Sequence, residues 1–198
     1  EGVEGKGEFV YLGSNFAFSG EEGRDAAHRI TIGRQRFGEL RNVWYSEKLE
    51  QGTKLRLFRV YIESTVLHSC ESWKMGKKTM SMLNGFNSKC MAVITGREIK
   101  DEAAEPTYSM VAAAHERRRR WTGHVIRMGE TRMPRQATKA VFEEQKDAEG
   151  TLIGDLGWEG AWEGLESAAE DRREWRKESK LMREKREDEW KTRRGARS

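Results

Sequence analysis

Four successive arginines, Arg117 to Arg120, followed by Trp121, are the strongest local binding signal in this chain. Guanidinium groups release counterions from a phosphate backbone, and an indole can stack on a base or sugar. On a helix, four consecutive residues spread around the circumference, so some of these arginines must face outward wherever the core lies. Trp121, Val125 and Met128 share helical spacing, which favours Trp121 as a core anchor over a stacking platform. The arginines are then the expected ligand contacts. His124 reads as a structural histidine, the alternatives being a helix cap or a phosphate contact.

Other chemistry is hard to find. The chain contains no adjacent Asp-Asp pair, so the metal-holding carboxylates of a two-metal polymerase are missing. Glu170-Asp171 and Glu187-Asp188-Glu189 lie in mixed-charge runs and read as solvated helix faces. Neither a Walker loop nor a dinucleotide fingerprint is present, since Gly13-Ser14 and Gly20 fit neither spacing. A zinc site from His68, Cys70 and Cys90 with His115 or His124 can be drawn, but the intervals match no compact zinc spacing. His68 and Cys70 read instead as the buried end of a helix. Two cysteines make no disulfide framework and suit a reducing compartment.

The elements that must position these residues are mostly helical. Of 198 residues, 36% are hydrophobic and 35% charged, leaner in apolar side chains than a globular norm of about 45–50%. A small helical core with solvated extensions fits this composition. Residues 24–140 hold 23 basic and 12 acidic side chains, a charge of +11, whereas 1–23 carry −4 and 141–198 carry −3. The basic middle suits a polyanionic partner, although solubility alone explains such an excess equally well. No secretory signal or membrane-length apolar run occurs, so the expectation is an intracellular protein, nuclear or cytoplasmic, with no membrane partner. Opening on Glu1, the chain reads as part of something longer.

Phe9–Gly13 and Asn15–Phe18 suggest a short hairpin. Ala26, Ile30, Gly33, Phe37, Leu40 and Trp44 define one helical face. A second helix starts at Thr53 as N-cap, with Leu55, Phe58, Ile62 and Val66 inward. A third spans about Lys77 to Ile94, with Met82, Leu83, Phe86, Cys90 and Val93 apolar and Gly96 as its stop. A fourth runs from about Thr107 to Met128 and ends at Gly129, and Pro134 opens the next. Residues 143–158 show no periodicity. Gly160 to Trp190 reads as one mixed-charge helix, with Trp162, Leu165, Ala169, Trp175 and Met182 loosely aligned.

Several blocks, in order, resemble the region after the catalytic palm in non-LTR (LINE-type) retrotransposon reverse transcriptases, especially the RTE-like group. Phe9-Val10-Tyr11-Leu12-Gly13-Ser14 looks like the family's tyrosine-leucine-glycine hairpin. Arg24 to Trp44 and Thr53 to Phe58 resemble the helices that follow it. Leu67-His68-Ser69-Cys70-Glu71-Ser72-Trp73 resembles a leucine-tyrosine-glycine-cysteine-glutamate-threonine-tryptophan block, with His68 and Ser69 standing where the family has tyrosine and glycine. Leu83 to Ile94 fits its next helix. Arg118 to Met128 is similar to an arginine-rich Trp-x-Gly-His-Val-x-Arg block, and Trp162-Glu163 through Ala169 to Arg176 to a closing Asp-Arg…Trp-Arg segment. The Trp-x-Asp expected after the third helix is replaced by Arg97 to Asp101. Phe142 to Gly160 lacks the usual basic, proline-containing stretch.

The resemblance implies a mainly α fold: a small N-terminal β-hairpin, a helical thumb-like bundle and a charged helical tail. It divides the chain into a hairpin at the palm edge (1–22), a basic thumb and post-thumb region (23–141), and a linker with a partly disordered tail (142–198). It implies a non-catalytic end of an RNA-directed DNA polymerase, without polymerase or nuclease activity of its own. No cofactor is expected in this chain, magnesium belonging to the parent enzyme's palm. The implied partners are the RNA template, the cDNA, and the palm and endonuclease domains of the parent. The expected phosphate contacts are Arg34, Lys54, Arg59, Arg117, Arg118, Arg119, Arg120 and Arg127. Rival readings are a host adaptor protein that uses the same basic helices, a translated relic without activity, and, more weakly, a small zinc enzyme.

Overall fold

A computed structural model describes residues 8–11, 14–17, 23–96, 108–145, 156, 158 and 160–195. The described part is mainly helical. The hairpin expected within 1–22 falls largely on residues outside that set. Only the backbone of Glu8–Tyr11 (β1) and Ser14–Ala17 (β2) is described, antiparallel, with Phe9 opposite Phe16. The chain forms two compact units, one of residues 1–69 and 76–99, the other of 70–75 and 100–198.

In the first unit, α1 (Arg24–Glu39) and α2 (Arg41–Trp44) carry the expected apolar face. Ala26, Ile30, Gly33 and Trp44 are buried, while Phe37 and Leu40 are half-buried. Gly33 is required by packing, because a Cβ there would lie 2.3 Å from Cγ2 of Val66. Trp44 donates its indole N–H to the carbonyl of Phe37 at 2.7 Å and stacks on that ring at 4.8 Å between centroids.

The next helix begins at Gln51, with its N-cap three residues before the expected Thr53. Its cap, Glu50, makes no side-chain capping bond, and the Thr53 hydroxyl accepts from Arg56 instead. This helix runs through α3 (Gln51–Leu57), a π-helical segment (Phe58–Glu63) and α4 (Ser64–Val66). A π turn leaves carbonyls without their i+4 N–H partner. The Ser64 and Thr65 hydroxyls donate to the carbonyls of Val60 and Tyr61, adding side-chain donors at the end of the segment. Phe58, Ile62 and Val66 face inward as expected, with Leu55 half-buried. Burying each such side chain contributes about 1.5–3 kcal/mol. The third helix, α5 (Lys77–Thr95), closes on Gly96 in the left-handed region, φ +67°. Leu83, Phe86 and Cys90 are buried, as are Met91 and Ile94.

The second unit is built on α6 (Met110–Ile126), α7 (Met133–Gln145), α8 (Trp162–Glu170) and α9 (Arg172–Gly195), together with a 3-10 turn at Cys70–Ser72. The single helix expected over Gly160 to Trp190 is broken at Asp171. Its backbone is extended (ψ 97°), and its Oδ1 accepts from the N–H groups of Arg173 and Glu174, capping α9. Trp162, Leu165, Ala169 and Trp175 join Ile126, Phe142 and Leu156 in one core cluster. Here the loose alignment of apolar residues in the sequence conceals a true core.

Candidate nucleic-acid interface

Ser109 starts α6 as an extended N-cap whose hydroxyl accepts from the N–H of Ala112 at 3.2 Å. The alanines at 112–114 are all buried, and this narrow stretch lets α6 sit deep in the second unit. α9 runs antiparallel along it. Glu116 lies opposite Arg183 at 2.9 Å, Arg119 opposite Glu178 at 2.9 Å, and Gly123 against the Trp175 indole.

This packing reverses the expected roles of the arginine run. Arg118 and Arg119 are buried, at 1% and 7% exposure, whereas Trp121 is 38% exposed. The Arg118 guanidinium donates to the carbonyls of Cys70 at 3.2 Å, Glu71 at 3.4 Å and Trp73, closing the end of the 3-10 turn. Arg119 donates to Glu178 and to the carbonyl of Leu156 at 3.3 Å, and it lies over the Trp175 ring at 4.2 Å. Burial lowers the pKa of Arg119, Glu178 works against that shift, and Arg186 adds to it. Both arginines are therefore structural. They are corrected as phosphate contacts because both side chains are buried and their terminal nitrogens bond acceptors inside the unit, the Nε of Arg119 alone being unpaired.

Trp121 is likewise corrected as the core anchor. That place is taken by Trp175, whose indole N–H donates to the carbonyl of Arg119 at 3.0 Å. A Cβ at residue 123 would lie 2.2 Å from that indole nitrogen, so glycine is the residue that admits it. Arg183 closes the far end of the helix pair. It bonds Glu116 and Glu187 and lies over the Tyr108 ring at 5.3 Å. Its burial opposes the charge, but Tyr108, Glu116 and Glu187 outweigh that and raise its pKa.

The remaining expected contacts fall in two groups. In the first unit Arg34 and Arg59 are exposed and Lys54 is half-buried. In the second, Arg117 is half-buried and Arg120 exposed, the latter 3.9 Å from Glu116. Arg127 is half-buried and bonded to the carbonyl of Ala169 at 2.5 Å. His124 is exposed, so it is not a packed structural histidine. His68 is also exposed, contrary to its expected place at a buried helix end, and accepts from Arg29 at 2.8 Å on Nδ1. Cys70 and Cys90 are both buried and form no disulfide. Among the described residues no group of three or more His, Cys, Asp or Glu is placed to hold a metal ion.

Two arginines outside the expected contacts, Arg172 and Arg176, lie one turn apart at the start of α9, whose Trp175 packs on Gly123, one turn before Arg127. Their four-residue spacing was the available signal, obscured by the acidic residues around them. Among the described residues no helix is long and apolar enough to cross a membrane. No family model, curated protein or solved structure matches the chain.

Proposed function

We propose that this chain is the non-catalytic C-terminal part of an RTE-like non-LTR retrotransposon reverse transcriptase, which in its parent enzyme grips the backbone of the RNA template and cDNA. In this reading the first 22 residues are a hairpin at the palm edge, the helices after it a thumb and post-thumb bundle, and α9 the charged tail. Polymerisation and its magnesium belong to the parent's palm.

The observation that carries the reading is the convergence of three blocks that resemble that family. Arg118 of the Trp-x-Gly-His-Val-x-Arg block holds the carbonyls of Cys70 and Trp73, and Gly123 of the same block receives Trp175 of the closing segment. Arg127 bonds the carbonyl of Ala169, also in the closing segment. Residues of these blocks that are separated by more than 40 positions thus interlock. Ser69 adds support. It stands where the family has glycine, and it is the non-glycine among the described residues with positive φ, +59°, a conformation that favours glycine.

The phosphate contacts in this reading are the accessible ones: Arg34, Lys54, Arg59, Arg117, Arg120 and Arg127. A labelled RNA–DNA hybrid titrated by fluorescence anisotropy at several salt concentrations tests it. Binding should weaken steeply with salt, and replacing Arg59 or Arg120 by alanine should each reduce the log–log salt slope by about 1. No measurable binding at about 50 mM salt, or slopes indifferent to both substitutions, would end the proposal.

A further inference from the structure

The antiparallel pairing of α6 and α9 brings the last turn of α6 to the α8–α9 junction. There the Arg127 guanidinium is pinned by its bond to the carbonyl of Ala169, while its Nε is buried without a hydrogen-bond partner. Arg172 and Arg176 follow on α9, one turn apart and on either side of the buried Trp175, and both are exposed. Burial, joined by repulsion from both, holds the Arg127 pKa below the ordinary guanidinium value.

Further along α9, Lys177 pairs with Glu174, Lys180 with Glu184, and Arg183 with Glu116 and Glu187. Arg127, Arg172 and Arg176 have no ion-pair partner among the described residues. Asp171 is the acid nearest in sequence, and its Oδ1 is committed to capping α9. Glu174 pairs with Lys177, and Glu170 is exposed at the end of α8. Like charges gathered without a counter-charge cost stability in the empty state, and an oxyanion removes that cost. Guanidinium forks suit its tetrahedral oxygens.

We propose that Arg127, Arg172 and Arg176 form a phosphate-oxyanion site at the α8–α9 junction, occupied by a phosphodiester of a nucleic-acid backbone. The identity of the occupant rests on the nucleic-acid reading above, whereas the oxyanion site does not.

The test compares the full chain with Arg172→Gln/Arg176→Gln, using two probes. Inorganic phosphate, against chloride at matched ionic strength, should raise the melting temperature of the wild-type chain and leave the double variant unmoved. The double variant should also bind the RNA–DNA hybrid about tenfold more weakly, with a salt slope lower by about two. Arg172→Lys/Arg176→Lys, which keeps the charge, should retain most of the slope and confirms that the glutamine variant fails through charge rather than misfolding. A specific phosphate effect with no hybrid binding upholds the site and sinks the nucleic-acid reading. Hybrid binding by the glutamine variant at wild-type affinity and slope, with equal phosphate responses, overturns the site and leaves that reading standing. An equal response to phosphate and chloride in the wild type overturns it as well.

Discussion

Replacing Ser69 by glycine should stabilise the protein by up to about 1 kcal/mol. A side chain in the left-handed region costs about 1–2 kcal/mol, and glycine's greater freedom in the unfolded chain returns part of that. The Ser69 hydroxyl bond to His68 at 2.9 Å is exposed and offsets little. A urea midpoint that falls in Ser69→Gly would contradict the strain argument. Cys90 supplies a second residue-level prediction. Burial pushes its thiol pKa from 9.0 up to about 12, with Arg34 pulling weakly the other way. The folded state therefore favours the neutral thiol. Its contribution is full below pH 9 and shrinks as pH rises from 9 toward 12, by about 1.4 kcal/mol per unit. Cys90→Ala should be less stable at neutral pH, since it leaves a small cavity, yet lose stability less steeply between pH 9 and 10.5. Parallel stability–pH curves for the two proteins would refute this.

Helix packing separates glycines that a sequence treats alike. Gly85 lies in α5 with nothing within 4 Å of its would-be Cβ, so Gly85→Ala should gain about 0.5–1 kcal/mol from helix propensity. Gly123 in α6 sits under the Trp175 indole, and alanine there forces that ring out and breaks its bond to the carbonyl of Arg119. Gly123→Ala should therefore cost about 2–3 kcal/mol, the propensity gain notwithstanding. Thermal melts with opposite signs for the two substitutions are the expected result, and a gain in both would remove the close α6–α9 approach. The same contrast explains what the sequence revealed. Apolar spacing located α1, α5 and α6 to within a few residues because a helix facing one core repeats its pattern. It misplaced the arginine run because α6 is covered on more than one side, by the 3-10 turn and by α9. There a guanidinium bonded to carbonyls is as much a core residue as an aliphatic one. Periodicity counts Trp121 as inward and Arg118 as outward; the carbonyls of Cys70 and Trp73, distant in sequence, decide otherwise.

At the scale of the molecule, the second unit takes residues 70–75 from between helices of the first. Cys70, Trp73 and Met75 are buried, and the carbonyls of Cys70, Glu71 and Trp73 satisfy Arg118. A fragment of residues 100–198 keeps all of α6 to α9 but loses that segment. Arg118 would then lose the carbonyls of Cys70, Glu71 and Trp73, a loss of about 1.5–3 kcal/mol on the scale of hydrogen bonds to a charged group. The fragment should consequently unfold at a lower urea concentration than the full chain, with a broader transition by far-UV circular dichroism. Arg118→Met offers the control. In the full chain it strands three carbonyls and should destabilise, whereas in the fragment, where those carbonyls are gone, it should cost much less. A clearly smaller cost in the fragment would show that Arg118 ties the second unit to its borrowed segment. An equal cost in both would mean that α6 to α9 hold together without it.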